Sequence, residues 1–218
     1  LAGALAMIGI YGLIRFGTTA LPTALERGRP ALVALGAASA LYGGVLAFGR
    51  RACAEVVAYA SVSHAGLLML AFGIGGPHGV AAALVLAVAS SLDKSTLFLT
   101  LAAPGAPARL ASAVGATSLA GLPITAGFAA KLLVLRAALD HPWRWFLIPV
   151  VLIATALGIA YAFRAWRGLA SGDWARSAGD RGEVAVALGV IVILLGLAPA
   201  GLVGLAYQAA AELAGGGG

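Results

Sequence analysis

Charged side chains are scarce in this sequence. Asp, Glu, Lys and Arg make up 10% of its 218 residues, against about 25% in ordinary soluble domains. Hydrophobic residues make up 61%, and the mean hydropathy is +1.01. Such a chain could not bury its apolar surface in water, which excludes a soluble fold. We therefore predict an all-α integral membrane protein, because helices satisfy their own backbone hydrogen bonds within lipid.

Cysteine is almost absent, and no cofactor motif is visible. The single Cys53 cannot form an intramolecular disulfide and has no metal-binding or redox partner in the sequence. No haem motif or nucleotide-binding loop occurs, and the glycines at 215–218 lack the strand and helix that flank a phosphate loop. No nucleophile and base pair lies at helical spacing, which argues against an intramembrane enzyme. We expect no cofactor, no metal and no redox centre.

The formal net charge of +6 comes mostly from arginines near the ends of apolar stretches. Arginines in such places extend toward lipid headgroups, so we expect a bilayer rather than a nucleic acid as the partner. The sequence starts at Leu1 without a leader. We expect it to be part of a longer polypeptide.

Apolar stretches with few Asp, Glu, Lys or Arg residues, divided where Gly and Pro break them, predict about seven or eight transmembrane helices. They cover residues 1–16, 31–49, 53–75, 79–103, 108–121, 124–139, 143–167 and 184–206. Gly121-Leu122-Pro123 separates the fifth stretch from the sixth. These two are either two short crossings or one helix that is broken at Pro123.

Four ionisable residues lie inside apolar stretches: His64, Asp93, Lys94 and Lys131. A Lys or Asp at a helix centre costs about 2.5 to 3.5 kcal/mol on insertion scales, so such residues usually face water or protein. Burial also disfavours the charged form of an amine, which allows a buried lysine to exchange protons. We predict that these residues belong to an ion path.

Lys94 lies roughly 22 Å along its predicted helix, too deep to reach an interface easily. Ser90 and Ser91 precede it by one helical turn and share its face. Asp93 points about 100° away from Lys94, so it needs a partner on another helix. A structural ion pair buried among helices remains the alternative reading for Lys94.

Lys131 follows the predicted break at Pro123 by eight residues. A broken helix at membrane depth exposes carbonyl groups and directs helix ends at an ion site. His64 has Ser61 on the preceding turn and could pass a proton through either ring nitrogen. Glu55 lies at the end of its predicted helix, near Arg50 and Arg51. We interpret it in the first place as a charge at the membrane interface and keep it as a proton-transfer candidate.

Four stretches of the sequence resemble the antiporter-like subunits of respiratory complex I, the M, N and L types, and of Mrp-type cation/proton antiporters. They are IGIYGLIRF at 8–16, ALYG at 40–43, AYASVSHAG at 58–66 and SLAGLPITAGF at 118–128. A fifth stretch, YAFRAWR at 161–167, favours the Mrp D-type subunit.

The resemblance implies a fold of fourteen helices with two inverted five-helix bundles, of which this chain resembles helices seven to fourteen. It assigns 1–50 to the end of the preceding bundle, 51–168 to the second bundle with the ion path, and 169–218 to a polar loop, the last helix and a glycine tail. Lys94 and Lys131 match the proton-path lysines of the family, and His64 matches its motif histidine. The resemblance implies that the partners are other membrane subunits and that the transported ion is H⁺ or Na⁺/K⁺. It also implies a location in a bacterial inner membrane.

The sequence thus predicts a proton-translocating or cation/proton antiport subunit of a larger complex. It could belong to an NADH:quinone oxidoreductase-like complex or to an Mrp-type antiporter. Met7 and Ala54 stand where the family usually carries lysines. These two departures keep a degenerate, non-conducting subunit that anchors its neighbours as the alternative.

Overall fold

The computed structural model describes residues 9, 12, 14–102, 106–170 and 182–215, and its regular elements in these ranges are all α-helices. A helical turn at 14–19 leads into eight helices. They are α1 Pro22–Gly49, α2 Cys53–Ile74, α3 Gly76–Ala102, α4 Ala106–Ala120, α5 Ala126–Leu139, α6 Arg144–Ala170, α7 Gly182–Leu197 and α8 Pro199–Gly215. The predicted all-α fold is confirmed. Met7, most of the stretch 1–16 and the polar loop 171–181 lie outside the described residues.

Four of these helices, α1, α2, α3 and α6, are each long and apolar enough to cross a bilayer. The pair α7 and α8 would count as a fifth span, although it bends by 79°. α4 and α5 have 15 and 14 residues, or roughly 22 Å each, which is shorter than the roughly 30 Å of a hydrocarbon core. The described ranges thus contain four or five spans by length and composition, besides the two shorter helices α4 and α5 on either side of the predicted break.

Two predicted boundaries are wrong for local reasons. α1 begins at Pro22 rather than at residue 31, and Pro30 lies inside it. The charged residues before Pro30 extend the helix beyond the apolar stretch, and Glu26 and Arg29 stabilise that turn with an ion pair of 2.8 Å. The last predicted helix, 184–206, is divided because Pro199 cannot donate the backbone hydrogen bond that would continue α7.

α3 lies in the middle of the described helices and contacts α2, α4, α5, α7 and α8. Its buried face is built from small and branched apolar residues, among them Val80, Ala83, Leu86 and Leu97. Because α3 carries Asp93 and Lys94, this central position places both charges among protein helices rather than against lipid. The architecture thus encloses the predicted ion path.

Glycines bring α1 and α2 into direct backbone contact. A Cβ atom at Gly36 would lie 2.5 Å from the Leu70 nitrogen, and one at Gly66 would clash with the Ala40 nitrogen. Lipid supplies no hydrophobic drive for helix association, so such close approach is what stabilises the pair. The contact fixes α2, which carries His64, against α1.

We predict that Gly66→Ala lowers the melting temperature of the detergent-solubilised protein. The added methyl group must separate two backbones, at a cost on the order of 1 to 3 kcal/mol. Gly28→Ala is the matched control, because a Cβ at Gly28 meets no atom within 4 Å. Equal melting temperatures for the two variants would contradict the contact.

Candidate functional site

The break between α4 and α5 is built by Gly121, which adopts a left-handed φ of 79° directly after the last residue of α4. Backbone hydrogen bonds close the helix end. The Gly121 N–H donates to the Ser118 carbonyl at 2.8 Å, and the Leu122 N–H donates to the Thr117 carbonyl at 3.0 Å. This pattern is a Schellman motif. Pro123 has no N–H, so the Leu119 carbonyl cannot receive the usual bond from four residues ahead.

Lys131 satisfies the carbonyls at this helix end. Its Nζ atom donates to the carbonyl oxygens of Leu119 at 2.9 Å and Ala120 at 2.7 Å. The side chain is 5% exposed and reaches back from the second turn of α5. The C-terminal end of a helix carries a partial negative charge, which stabilises an ammonium group there. The prediction that the break presents carbonyl groups to Lys131 matches this geometry.

α6 closes the other side of the Lys131 ammonium. A Cβ atom at Gly158 would lie 3.1 Å from Nζ, so the absence of a side chain there makes room for the amine. Tyr161, one turn later, is buried, and its hydroxyl would lie 3.6 Å from the same Cβ. The lysine is therefore enclosed by α4, α5 and α6.

Asp93 supplies the buried carboxylate of the site. It is 1% exposed, and its Oδ1 atom has no hydrogen-bond partner among the described residues. The Ser118 side chain of α4 lies beside the carboxyl group, and the charges of Lys131 and Lys94 both act on it. In the described ranges neither lysine approaches within the 4.0 Å of an ion pair. Asp93 thus faces the other helices, as its angular offset from Lys94 predicts.

His64 joins the same cluster from α2. Its side chain is buried, and Nδ1 lies 2.9 Å from the carbonyl oxygen of Ala60. Because a carbonyl group only accepts, Nδ1 carries the hydrogen. The ring also faces the carbonyl of Leu119, which accepts from Lys131. His64 and Lys131 therefore converge on one backbone oxygen.

The other predicted residues lie at the margin. Lys94 is partly buried and adjoins the cluster through the charge of Asp93. The Ser90 hydroxyl donates to the Ala87 carbonyl at 3.2 Å, and so is engaged within its own helix. Glu55 lies in the first turn of α2, where its exposed side chain is 3.9 Å from Arg50. The structure does not bring Glu55 to the cluster.

Two residues of the cluster were missed in the sequence. Ser118 accepts the Gly127 N–H at 3.1 Å and so links the ends of α4 and α5. Tyr161 lies next to Ser63, whose hydroxyl donates to the Ala40 carbonyl at 2.8 Å. The available signal was a tyrosine three residues after Gly158 within an apolar stretch. A tyrosine in a membrane helix is ordinarily read as an interfacial residue, which hides this role.

The described residues contain no group of three or more His, Cys, Asp or Glu side chains that could hold a metal ion. Four ionisable side chains from α2, α3 and α5 instead surround a helix break: His64, Asp93, Lys94 and Lys131. Two of them are amines and one is an imidazole. Side chains of these types can hold and exchange protons.

Comparison with known proteins shows which proteins this chain is similar to. Residues 1–106 match the protein family described as "NADH:quinone oxidoreductase/Mrp antiporter, TM". NADH-quinone oxidoreductase subunit N 2 of Solidesulfovibrio magneticus is 36% identical over 84% of this chain and 44% of its own length. The chain thus spans about half the length of the curated relatives it matches.

Two solved structures share the fold. A chain of the Mrp complex from Dietzia sp. superposes with a TM-score of 0.84 at 24% identity, over 96% of this chain and 51% of that one. A chain of respiratory complex I from Thermus thermophilus gives a TM-score of 0.77 at 25% identity, over 96% and 50%. The similarity in fold extends through the α4–α5 break and beyond the residues matched by the family.

We predict that Gly121→Ala destabilises the protein more than Gly76→Ala does. Both glycines have a left-handed φ, so alanine costs each about 1 to 2 kcal/mol. A Cβ at Gly121 would additionally lie 2.6 Å from the Lys131 side chain, whereas one at Gly76 meets nothing within 4 Å. Melting temperatures in detergent measure the difference. An equal loss in the two variants would mean that Lys131 does not occupy the break.

Proposed function

We propose that this chain, as a member of the family of antiporter-like membrane subunits of NADH:quinone oxidoreductases and Mrp antiporters, moves protons through the bilayer. The transport is either proton translocation coupled to a larger complex or exchange of protons for cations. The observation that carries the proposal is the buried Lys131 ammonium on the carbonyls of Leu119 and Ala120.

The first argument is energetic. Asp93 and Lys131 are both buried in apolar helices, where each charged group costs about 2.5 to 3.5 kcal/mol on insertion scales. A subunit that only anchors its neighbours has no use for these groups, because well-packed apolar residues would be at least as stable. The non-conducting alternative is therefore disfavoured.

The second argument is the spacing of the groups. Asp93 is influenced by both lysines without a direct ion pair to either. A tight pair would trap the proton on one partner, whereas a looser arrangement lets a carboxylate accept from one amine and donate to the other. We propose the order Lys94, Asp93, Lys131, with a bridging water or a side-chain rotation at each transfer. His64, which faces the same Leu119 carbonyl as Lys131, exchanges a proton with Lys131 through a bridging water.

Release of a proton from Lys131 weakens the two hydrogen bonds that its ammonium group donates to the carbonyls of Leu119 and Ala120. A neutral amine loses its charge-assisted bonds, which are roughly twice as strong as neutral ones. Loss of the proton therefore loosens the hold of α5 on α4, which makes the break the mobile part of the path. We propose that neighbouring membrane subunits bias this step, and that the bacterial inner membrane is its location.

We predict that Lys131→Ala lowers proton or cation flux at least tenfold in vesicles reconstituted with the assembled complex. The amine that carries the proton is then missing. Arg136→Ala, five residues later on the same helix, is the control, because Arg136 is exposed and should leave flux unchanged. Lys131→Met keeps the side-chain volume if the alanine variant fails to assemble. Full flux through a well-folded Lys131→Met protein would refute the proposal.

Lys94→Arg separates a proton relay from a structural ion pair. The guanidinium group keeps the positive charge but does not deprotonate in proteins. We expect the variant to assemble with a melting temperature close to that of the parent while its flux falls at least tenfold. Flux equal to that of the parent would assign Lys94 a structural role.

A further inference from the structure

A second group of ionisable side chains lies at one end of the bundle, away from the Lys131 site. His78 is in the first turn of α3, Asp140 directly follows α5, and Tyr207 is on α8. The His78 Nδ1 atom lies 2.7 Å from the Tyr207 hydroxyl, and the two rings meet edge to face at 5.5 Å. The Nε2 atom of the same ring lies 3.8 Å from Asp140 Oδ2. One imidazole thus joins three helices.

The two ring nitrogens of His78 have different roles. Because the Asp140 carboxylate only accepts, the hydrogen of the neutral ring belongs on Nε2, which faces it. The Tyr207 hydroxyl then donates to Nδ1. On protonation both nitrogens carry hydrogen, and the phenol oxygen accepts instead. The contacts survive in both states, but only the protonated ring forms an ion pair with Asp140. Histidine side chains in general gain their charge on acidification, so the ion pair belongs to the protonated form of the ring.

Other charged groups nearby do not replace His78 as the partner of Asp140. His141 is adjacent in sequence, but partial burial, and then the charge of Arg29, lower the pKa of His141. Arg29 itself pairs with Glu26 at 2.8 Å and donates to the Phe72 carbonyl at 3.3 Å. The further charged side chains of α5, α6 and α8 at this end are Arg136, Arg144 and Glu212. In the described ranges no other ion pair of Asp140 is present.

The position of Asp140 at the end of α5 gives the pair its importance. α5 is a half-helix of 14 residues whose inner end carries Lys131. Lys131 and Asp140 are nine residues apart, or roughly 13.5 Å along a rigid helix. His78 is on α3, the helix that carries Asp93 and Lys94. The contact between His78 and Asp140 therefore joins the outer end of α5 to α3, the helix that carries Asp93 and Lys94.

We propose that His78 and Asp140 are positioning residues that hold α5 in register with α3, and that protonation of His78 strengthens this hold. The inference rests on the proposed function of Lys131 and adds a control of it from the membrane surface. With His78 protonated, the ion pair keeps Lys131 at its carbonyl acceptors. With His78 neutral, only the weaker polar contact to Asp140 adds to Lys131 and the packing of α5.

The test uses His78→Gln, Asp140→Asn and the double variant in the reconstituted complex. We expect each single variant to lower flux about threefold at about pH 6, the range of a partly exposed ion pair. The double variant should lose no more than either single one, because both remove the same interaction. At about pH 8 the loss should be smaller, because the variants then remove only the contact of the neutral ring. Glu212→Gln, which removes a carboxylate of α8 outside the cluster, should match the parent at both pH values.

Melting temperatures of the parent, the two single variants and the double variant provide a readout that does not depend on transport. A double-mutant cycle should show stronger coupling between His78 and Asp140 at about pH 6 than at about pH 8. Coupling with parental flux in all variants would overturn the positioning role. A flux loss of equal size at both pH values would also overturn it, because a purely structural contact behaves in that way. If the parent itself carries no flux, the proposed function fails, and absent coupling would still refute the pair separately.

Discussion

The arrangement depends on one interaction: the ammonium group of Lys131 on the last two carbonyls of α4. The helix end needs a donor, because Pro123 cannot supply one and Gly121 turns the chain away. The lysine needs acceptors, because it is almost wholly removed from lipid and water. The lysine and the helix end thus satisfy each other's hydrogen bonds, which would otherwise be left unmade in a bilayer. The break in the crossing is tolerated for this reason.

The surrounding packing follows from that interaction. Gly158 leaves space for the amine, and Gly127 brings the start of α5 against the Ser118 carbonyl. The Ser118 hydroxyl accepts the Gly127 N–H, so the start of α5 is satisfied by the same turn of α4 whose carbonyls bind the lysine. Both helix ends are therefore chemically occupied. A charge change at Asp93 or Lys131 acts directly on the geometry that joins them.

Much of this site could be predicted from the sequence, because buried charges and Gly-Pro breaks are rare in apolar stretches. The break before Lys131 and the turn of Asp93 toward other helices follow from spacing alone. The role of Tyr161 does not, since nothing local distinguishes a buried tyrosine from an interfacial one. The bend at Pro199 was also missed, because the apolar stretch continues through it.

The most direct measurement is the distance between the Lys131 amine and the Ala120 carbonyl carbon in lipid bilayers. The sequence contains only two lysines, Lys94 and Lys131, so ¹⁵N-lysine and ¹³C-carbonyl-alanine labelling gives a readable solid-state NMR distance. The account predicts a contact of about 4 Å or less, as a charge-assisted hydrogen bond requires. An amine that lies farther from this carbonyl would contradict the interaction on which the account depends.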